Sequence, residues 1–292
     1  MIQYGASILS WIPAWSPEGG LYAIQKTAAC GFDMLEILLP ASLDFDAGKV
    51  KKQLTLHGLE GRCSFILPSD CHLPAHPARA ARLLKAALNK VEAMEGDFLG
   101  GVLYSSIGTF TGNPCTGTEL TIVEDVLGEV AAYAGARGIT VALEPINRYE
   151  SYVFTSAAEV LYLLQRMNLK NLALHLDTFH MNIEESSFYS PVILAGDLLQ
   201  HVHITESDRG MLGEGNVRWD DLFRGLQEIH YAGPLVLENF SSHITELVGP
   251  TSLWRPSRYT PEELAKGSLA FMQQMAEKWG LRQDCATAPA LL

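Results

Sequence analysis

Short, near-continuous apolar runs alternate along this chain with longer segments in which apolar residues recur every three to four positions. Strand-like runs begin near Ile2, Asp33, Gly61, Phe98, Ile139, Asn171, Gln200 and Pro234. Helical periodicity is clear over Gly20 to Cys30, Pro77 to Glu95, Leu120 to Arg137, Ser156 to Met167, Trp219 to His230 and Pro261 to Trp279, and several of these segments open with a capping residue or Pro. Gly31, Gly58, Gly138 and Gly233 each follow a helical segment and precede a strand, where a left-handed residue is wanted. Strict βα alternation with uniformly apolar strands predicts a parallel sheet covered on both faces. Eight βα units in a chain of this length predict an α/β fold, a (β/α)₈ TIM barrel forming one domain over residues 1–282, with 283–292 a frayed tail; a doubly wound sheet is the alternative.

Composition narrows the function classes. The chain has 292 residues, 48% of them hydrophobic, which suffices for a large core. A formal net charge of −12 and the lack of any basic run argue against nucleic acid or an anionic membrane as partner, because phosphate binding needs clustered Lys and Arg. Cys30, Cys63, Cys71, Cys115 and Cys285 are scattered and odd in number, which fits reduced thiols in the cytoplasm rather than a disulfide framework. Met1 to Trp15 lacks a basic start and contains Pro13, unlike a signal peptide, and no apolar stretch is long enough to span a bilayer.

Four polar residues stand at the ends of the last four strand-like runs: Glu144 after Thr140–Leu143, Asp177 after Leu172–Leu176, His203 after Gln200–Val202 and Glu238 after Leu235–Leu237. In a parallel barrel the carboxyl ends of all strands open on one face, so these residues converge there. Alternation along a strand turns Ala142 and Glu144 inward and Val141 and Leu143 outward, and pairs His175 with Asp177, His201 with His203 and Val236 with Glu238. His175 and His201 are then expected one layer below the mouth rather than as ligands. Three carboxylates and one imidazole suit a single divalent ion, Mn²⁺ before Mg²⁺ or Co²⁺. Glu150, His180 and Arg209 lie on the loops following three of these strands, whereas Arg148, Asp208, Glu184 and Glu185 read as solvated loop charges.

The segments Leu143–Glu150, Leu176–Glu185 and His201–Gly210, with Asp-Thr-Phe-His-Met-Asn-Ile-Glu-Glu from Asp177 as the most specific string, resemble the ketose 3-epimerases of the xylose-isomerase-like barrels. Glu238 and Leu253-Trp254-Arg255 agree with this. The resemblance implies an isomerase that inverts C3 of a free ketose through a cis-enediolate. It also implies Glu144, Asp177, His203 and Glu238 as metal ligands, Glu144 and Glu238 as the acid/base pair on opposite faces of the sugar, and Glu150, His180 and Arg209 as residues holding its O1 to O3 end. A small-molecule sugar is the implied partner, and a homodimer or homotetramer the implied assembly. Ser7 and Ser64 are expected to face the sugar tail, with Trp11, Trp15, Cys63, Phe65 and Tyr104 as walls. An aldose–ketose isomerase or an inosose-type dehydratase of the same superfamily is the alternative reading. Met211–Asn216 sits where many barrels bind phosphate, so a phosphorylated ketose is a further alternative, with the free sugar favoured. A nucleotide fingerprint and a hydrolase elbow are both absent.

Overall fold

In the computed structural model, which describes residues 2–281, eight parallel strands close into a barrel in sequence order. They are β1 Tyr4–Ser7, β2 Met34–Leu38, β3 Glu60–Ile66, β4 Phe98–Val102, β5 Thr140–Leu143, β6 Leu172–Asp177, β7 Leu199–Ile204 and β8 Leu235–Leu237. Closure is made by β1 pairing with β8, Gly5 opposite Val236. The helices are α1 Pro17–Cys30, α2 Ala47–Leu56, α3 Pro77–Ala93, α4 Gly117–Gly135, α5 Ala157–Met167, α6 Thr178–Glu184, α7 Ser190–Ala195, α8 Trp219–Glu228, α9 Thr245–Val248 and α10 Pro261–Lys278. The barrel expected from the alternation is therefore the one observed, and the doubly wound sheet is not. The expected tail at 283–292 lies outside the described residues.

Period-2 patterning divides the strands as it should. Val141, Leu143, Leu172 and Leu174 join the main core between sheet and helices, whereas Phe98, Ala142 and Ala173 form a separate small apolar group inside the barrel. Arg62 lays its guanidinium 4.5 Å from the centre of the Phe98 ring, and His201 stacks on the same ring at 4.9 Å. Above that group the barrel interior becomes polar.

Helix starts follow local chemistry. Ser16, Asp46, Thr116, Ser156 and Thr260 each cap a helix with a side-chain oxygen, and Thr116, Ser156 and Thr260 complete capping boxes with Glu119, Glu159 and Glu263. Gly31, Gly58 and Gly138 are left-handed as expected, but Gly233 is not; His230, at φ 53°, takes that role after α8. The chain there turns before the glycine, and Gly233 instead has Tyr231 Oη where a Cβ would stand, 2.5 Å away. Helix α2 is the segment expected before Gly58, whereas α6, α7 and α9 were not anticipated; all three are short, and periodicity over so few turns is weak.

Candidate metal centre and active site

The four strand-end residues meet at one point. His203, 2% exposed on β7, directs Nδ1 at Asp177 Oδ2 (3.6 Å), Glu144 Oε1 (3.7 Å) and Glu238 Oε1 (3.7 Å). These contacts are too long for hydrogen bonds, and Nδ1 is buried without any hydrogen-bond partner. A buried ring nitrogen left without a partner among three carboxylate oxygens is costly unless something sits between them. The donor atoms offered by Glu144, Asp177 and His203 lie within 4.8 Å of one another. A hard divalent cation with oxygen-rich coordination fits this set.

Each residue is held by its own element. Glu144 follows β5 directly, its amide donating to Gly101 O on β4 (3.1 Å) and its carbonyl accepting from Tyr104 Oη (2.9 Å). Asp177 ends β6 and also caps α6: Oδ1 accepts from Phe179 N (2.6 Å), while Oδ2 accepts from Thr205 Oγ1 (3.2 Å). Glu238 follows β8, and its Oε2 accepts from Arg209 Nη1 (2.7 Å). Arg209 is itself buried between the rings of Phe179 (4.1 Å) and Phe240 (4.4 Å), with φ at +59°. A planar cation stacked on both faces has little freedom to move.

The electrostatics describe a site short of positive charge. Although burial favours a neutral ring, the charges of Glu36 and Glu238 hold His203 well above the usual histidine range. Burial pushes Glu238 up to about 8 against the pull of His203 and Arg209, with the Asp177 and Glu144 charges adding to it. Asp177 lies well below the ordinary range despite its burial, because His203 faces it at 3.6 Å and the charges of His180 and Arg209 are close by.

Of the residues expected on loops, His180 lies instead within α6, because Asp177 caps a helix directly after β6, and its Nε2 is 4.0 Å from Glu144 Oε1. Its Nδ1 accepts from the Asn147 amide (3.1 Å) and faces Asn147 Nδ2 (2.9 Å), so the proton of the ring is on Nε2 and points into the site. Asn147 Nδ2 also donates to Glu150 Oε1 (2.9 Å), so one buried amide orders two site residues. Glu150 is half-buried and adds its charge to those acting on Arg209.

Several readings need correction. Arg148 and Glu184 are not simply solvated: they form a paired fork (2.8–3.1 Å) with the Glu184 side chain largely buried, and Glu185 accepts from the Ala157 amide at the start of α5. Ser64 donates to Glu36 Oε1 (2.9 Å) instead of facing a sugar tail, and Ser7 accepts from Leu9 N. Cys63 and Phe65 turn to the outer core, Trp11 is anchored on Thr27, and Tyr104 spends its hydroxyl on the Glu144 and Phe154 carbonyls. Trp15 packs edge-on against Phe45.

Two carboxylates were missed. Glu36, inside β2, has both oxygens 3.0 Å from His203 Nε2. A single charge in the otherwise apolar strand Met34–Leu38 was the signal that could have revealed it. Glu206, fully buried just past β7, accepts from the amides of Ser207 (2.8 Å), Gly213 (2.9 Å) and Val217 (3.1 Å) and from Trp219 Nε1 (3.1 Å). A cavity of about 610 Å³ adjoins Arg209, walled by Phe179, Phe240, Leu253, Trp254 and Tyr259.

The chain matches the xylose isomerase-like TIM barrel family over residues 24–275. It is 36% identical to the L-ribulose 3-epimerase of Methylomonas sp. (strain DH-1), across 94% of this chain and 97% of that protein. It is equally similar, at 36%, to the ketose 3-epimerase of Arthrobacter globiformis, across 93% and 96%. The crystal structure of D-allulose 3-epimerase from Methylomonas sp. in complex with D-allulose superposes with a TM-score of 0.88 at 35% identity, covering 94% of this chain and 97% of that one.

Proposed function

Because the chain belongs to the ketose 3-epimerases within the xylose isomerase-like TIM barrels and is thus an isomerase, we propose that it inverts C3 of a free ketose in a metal-dependent reaction. The observation that carries the mechanism is the convergence of Glu144 and Glu238, from strands three apart around the barrel, on one buried His203 nitrogen. Carboxylates arriving from separate sides can address the two faces of one carbon.

In this reading one glutamate removes the C3 proton, leaving a cis-enediolate of the sugar, and the other returns a proton to the opposite face. A positioned acid or base contributes about 10²- to 10⁴-fold. Glu144, Asp177, His203 and Glu238 would hold the ion, Mn²⁺ first among divalent candidates, which when bound would supply Lewis acidity beside the sugar's carbonyl. Arg209 fixes one oxygen of Glu238 and leaves the other facing the site. His180 Nε2–H is a donor for a sugar oxygen, as is the outward side of Arg209, and Glu150, oriented by Asn147, is an acceptor for a hydroxyl. Buried donors of this kind stabilise charge as it develops on oxygen.

Glu206 supports an unphosphorylated substrate. The loop after β7 is where barrels often bind phosphate, yet here three of its amides are taken by that internal carboxylate. Assembly as a dimer or tetramer in the cytoplasm belongs to the same reading, and sedimentation of the purified chain tests the assembly.

NMR of the Mn²⁺-loaded protein in D₂O with D-fructose, D-allulose, D-tagatose and L-ribulose tests the reaction. Deuterium at C3 together with the C3-inverted ketose, both abolished by Glu238→Gln, is the expected result. Exchange at C1 with aldose formation would move the assignment to aldose–ketose isomerisation, loss of water from an inosose to a dehydratase, and turnover confined to phosphorylated ketoses would overturn the free-sugar reading.

A further inference from the structure

Glu36 is a buried carboxylate that the proposed reaction does not use. In β2 its neighbours Leu35 and Ile37 face the outer core, and alternation turns Glu36 into the barrel, where it is 1% exposed. Its surroundings there are polar and specific. Both oxygens lie 3.0 Å from His203 Nε2, Oε1 accepts from Ser64 Oγ (2.9 Å), and Oε2 lies 2.6 Å from His201 Nε2, out of line for a hydrogen bond. The contact to His203 joins residues 167 positions apart, across the interior from β2 to β7.

A carboxylate only accepts, so the Nε2 it faces must carry a proton. A neutral imidazole has one lone pair, and with Nε2 protonated that pair is on Nδ1, the nitrogen facing Glu144, Asp177 and Glu238. Taking a carboxylate out of water is costly, and an apolar replacement of similar volume commonly stabilises a fold. An anion kept at this depth therefore calls for a role beyond packing. We infer that Glu36 is a positioning residue for the metal centre: it locks His203 in the Nε2–H tautomer, fixes the ring and raises the donor strength of Nδ1 toward a divalent ion. The inference rests on the metal site of the proposed function. Partners of this kind typically change metal affinity about 10- to 100-fold.

Titration of the metal-free full-length chain with Mn²⁺, for wild type and Glu36→Gln, followed by calorimetry and by the electron paramagnetic resonance signal of free Mn²⁺, tests it. A dissociation constant raised about 10- to 100-fold in the variant is expected, alongside a lowered metal-free melting temperature, because the buried His203 ring loses its partner. An unchanged dissociation constant with a lowered metal-free melting temperature would mean that Glu36 only ties β2 to β7, and would overturn the inference while leaving the proposed function intact. Failure of the wild type to bind any divalent ion would instead remove the metal reading itself, and the inference with it. If Glu36→Gln does not fold, ¹⁵N–¹H long-range NMR of the wild-type His203 ring loaded with Mg²⁺ decides: a proton on Nε2 alone supports the lock, and a proton on Nδ1 with a bare Nε2 overturns it.

Discussion

At the residue scale, the site depends on side chains whose second functional group is already committed. Asp177 caps a helix with one oxygen and faces His203 with the other; Glu238 gives one oxygen to Arg209; His180 gives Nδ1 to Asn147. Each division of labour removes a rotamer choice, so little ordering is left to be done when substrate arrives. Arg209 is the sharpest case, because its stacking between Phe179 and Phe240 requires a planar cation. Arg209→Lys keeps the charge and loses both the stacking and the fork. We expect kcat/KM to fall about 10- to 100-fold, equal to roughly 1.4–2.8 kcal/mol of transition-state stabilisation, with the melting temperature shifted far less. Initial rates of ketose epimerisation followed by NMR check this, and an unchanged kcat/KM would remove Arg209 from the machinery. The four strand-end residues were legible because each is a polar group terminating an apolar run. Asn147, lying between Ile146 and Arg148, carries no such contrast, and its two-way hydrogen bonding is visible only once the loop after β5 is brought against α6.

At the scale of elements, β4 shows how backbone geometry places a functional side chain. Gly101 has φ +108°, and a Cβ there would stand 2.6 Å from Phe65 O and 3.2 Å from Phe65 N, both backbone atoms of β3. The same residue's carbonyl receives the Glu144 amide. Gly101→Ala must therefore either push β3 away or abandon the positive φ, and the Glu144 backbone would follow. A loss of about 2–4 kcal/mol is expected from the strain and the clash together, measured as a lowered urea midpoint, and accompanied by a drop in epimerase rate greater than the fraction unfolded explains. A midpoint within error of wild type would show that the strand relaxes without cost. Glycines preceding strands were readable as helix stops at Gly31, Gly58 and Gly138 because that requirement is local. Gly101 was not, because its requirement comes from β3, a neighbour distant along the chain.

At the scale of the whole molecule, closure of the barrel gathers negative charge into a water-poor interior, and two consequences follow. Removal of metal should destabilise the fold: an ion held at one hundred times its dissociation constant contributes about 2.7 kcal/mol, so chelation should lower the melting temperature in a manner dependent on metal concentration, and identical melts with and without chelator would contradict a bound ion. Acid should destabilise it as well. Burial depresses His201 to about 4 and holds His175 and His72 below the ordinary value of about 6.5. A histidine depressed in the folded state binds fewer protons there than when unfolded, so its contribution is complete above about 6.5 and is lost as pH falls toward the folded value. His203 shifts the other way in the metal-free protein; its contribution is fully present below about 6.5, so it cannot offset the acid limb. Glu238, pushed up to about 8 by burial, gains stability as pH falls from there toward its unfolded value and so offsets one of the three depressed rings. Urea midpoints of the chelated protein should still fall from about pH 6.5 toward pH 4, and a flat profile over that window would show that these rings are hydrated.

What the sequence determined by itself was everything with a local period or a local contrast: the eight βα units, the inward phase of the strands, most helix caps, and the strand ends carrying Glu144, Asp177, His203 and Glu238. Tertiary structure alone decided which polar groups meet across the interior. Glu36 reaches His203 from the far side of the barrel, Glu206 gathers the amides of the loop after β7, and His230 rather than Gly233 turns the chain. The physical reason is that periodicity specifies which face a side chain takes, whereas its partner is set by the stagger and closure of eight strands, and no stretch of chain contains that information until the ring is complete.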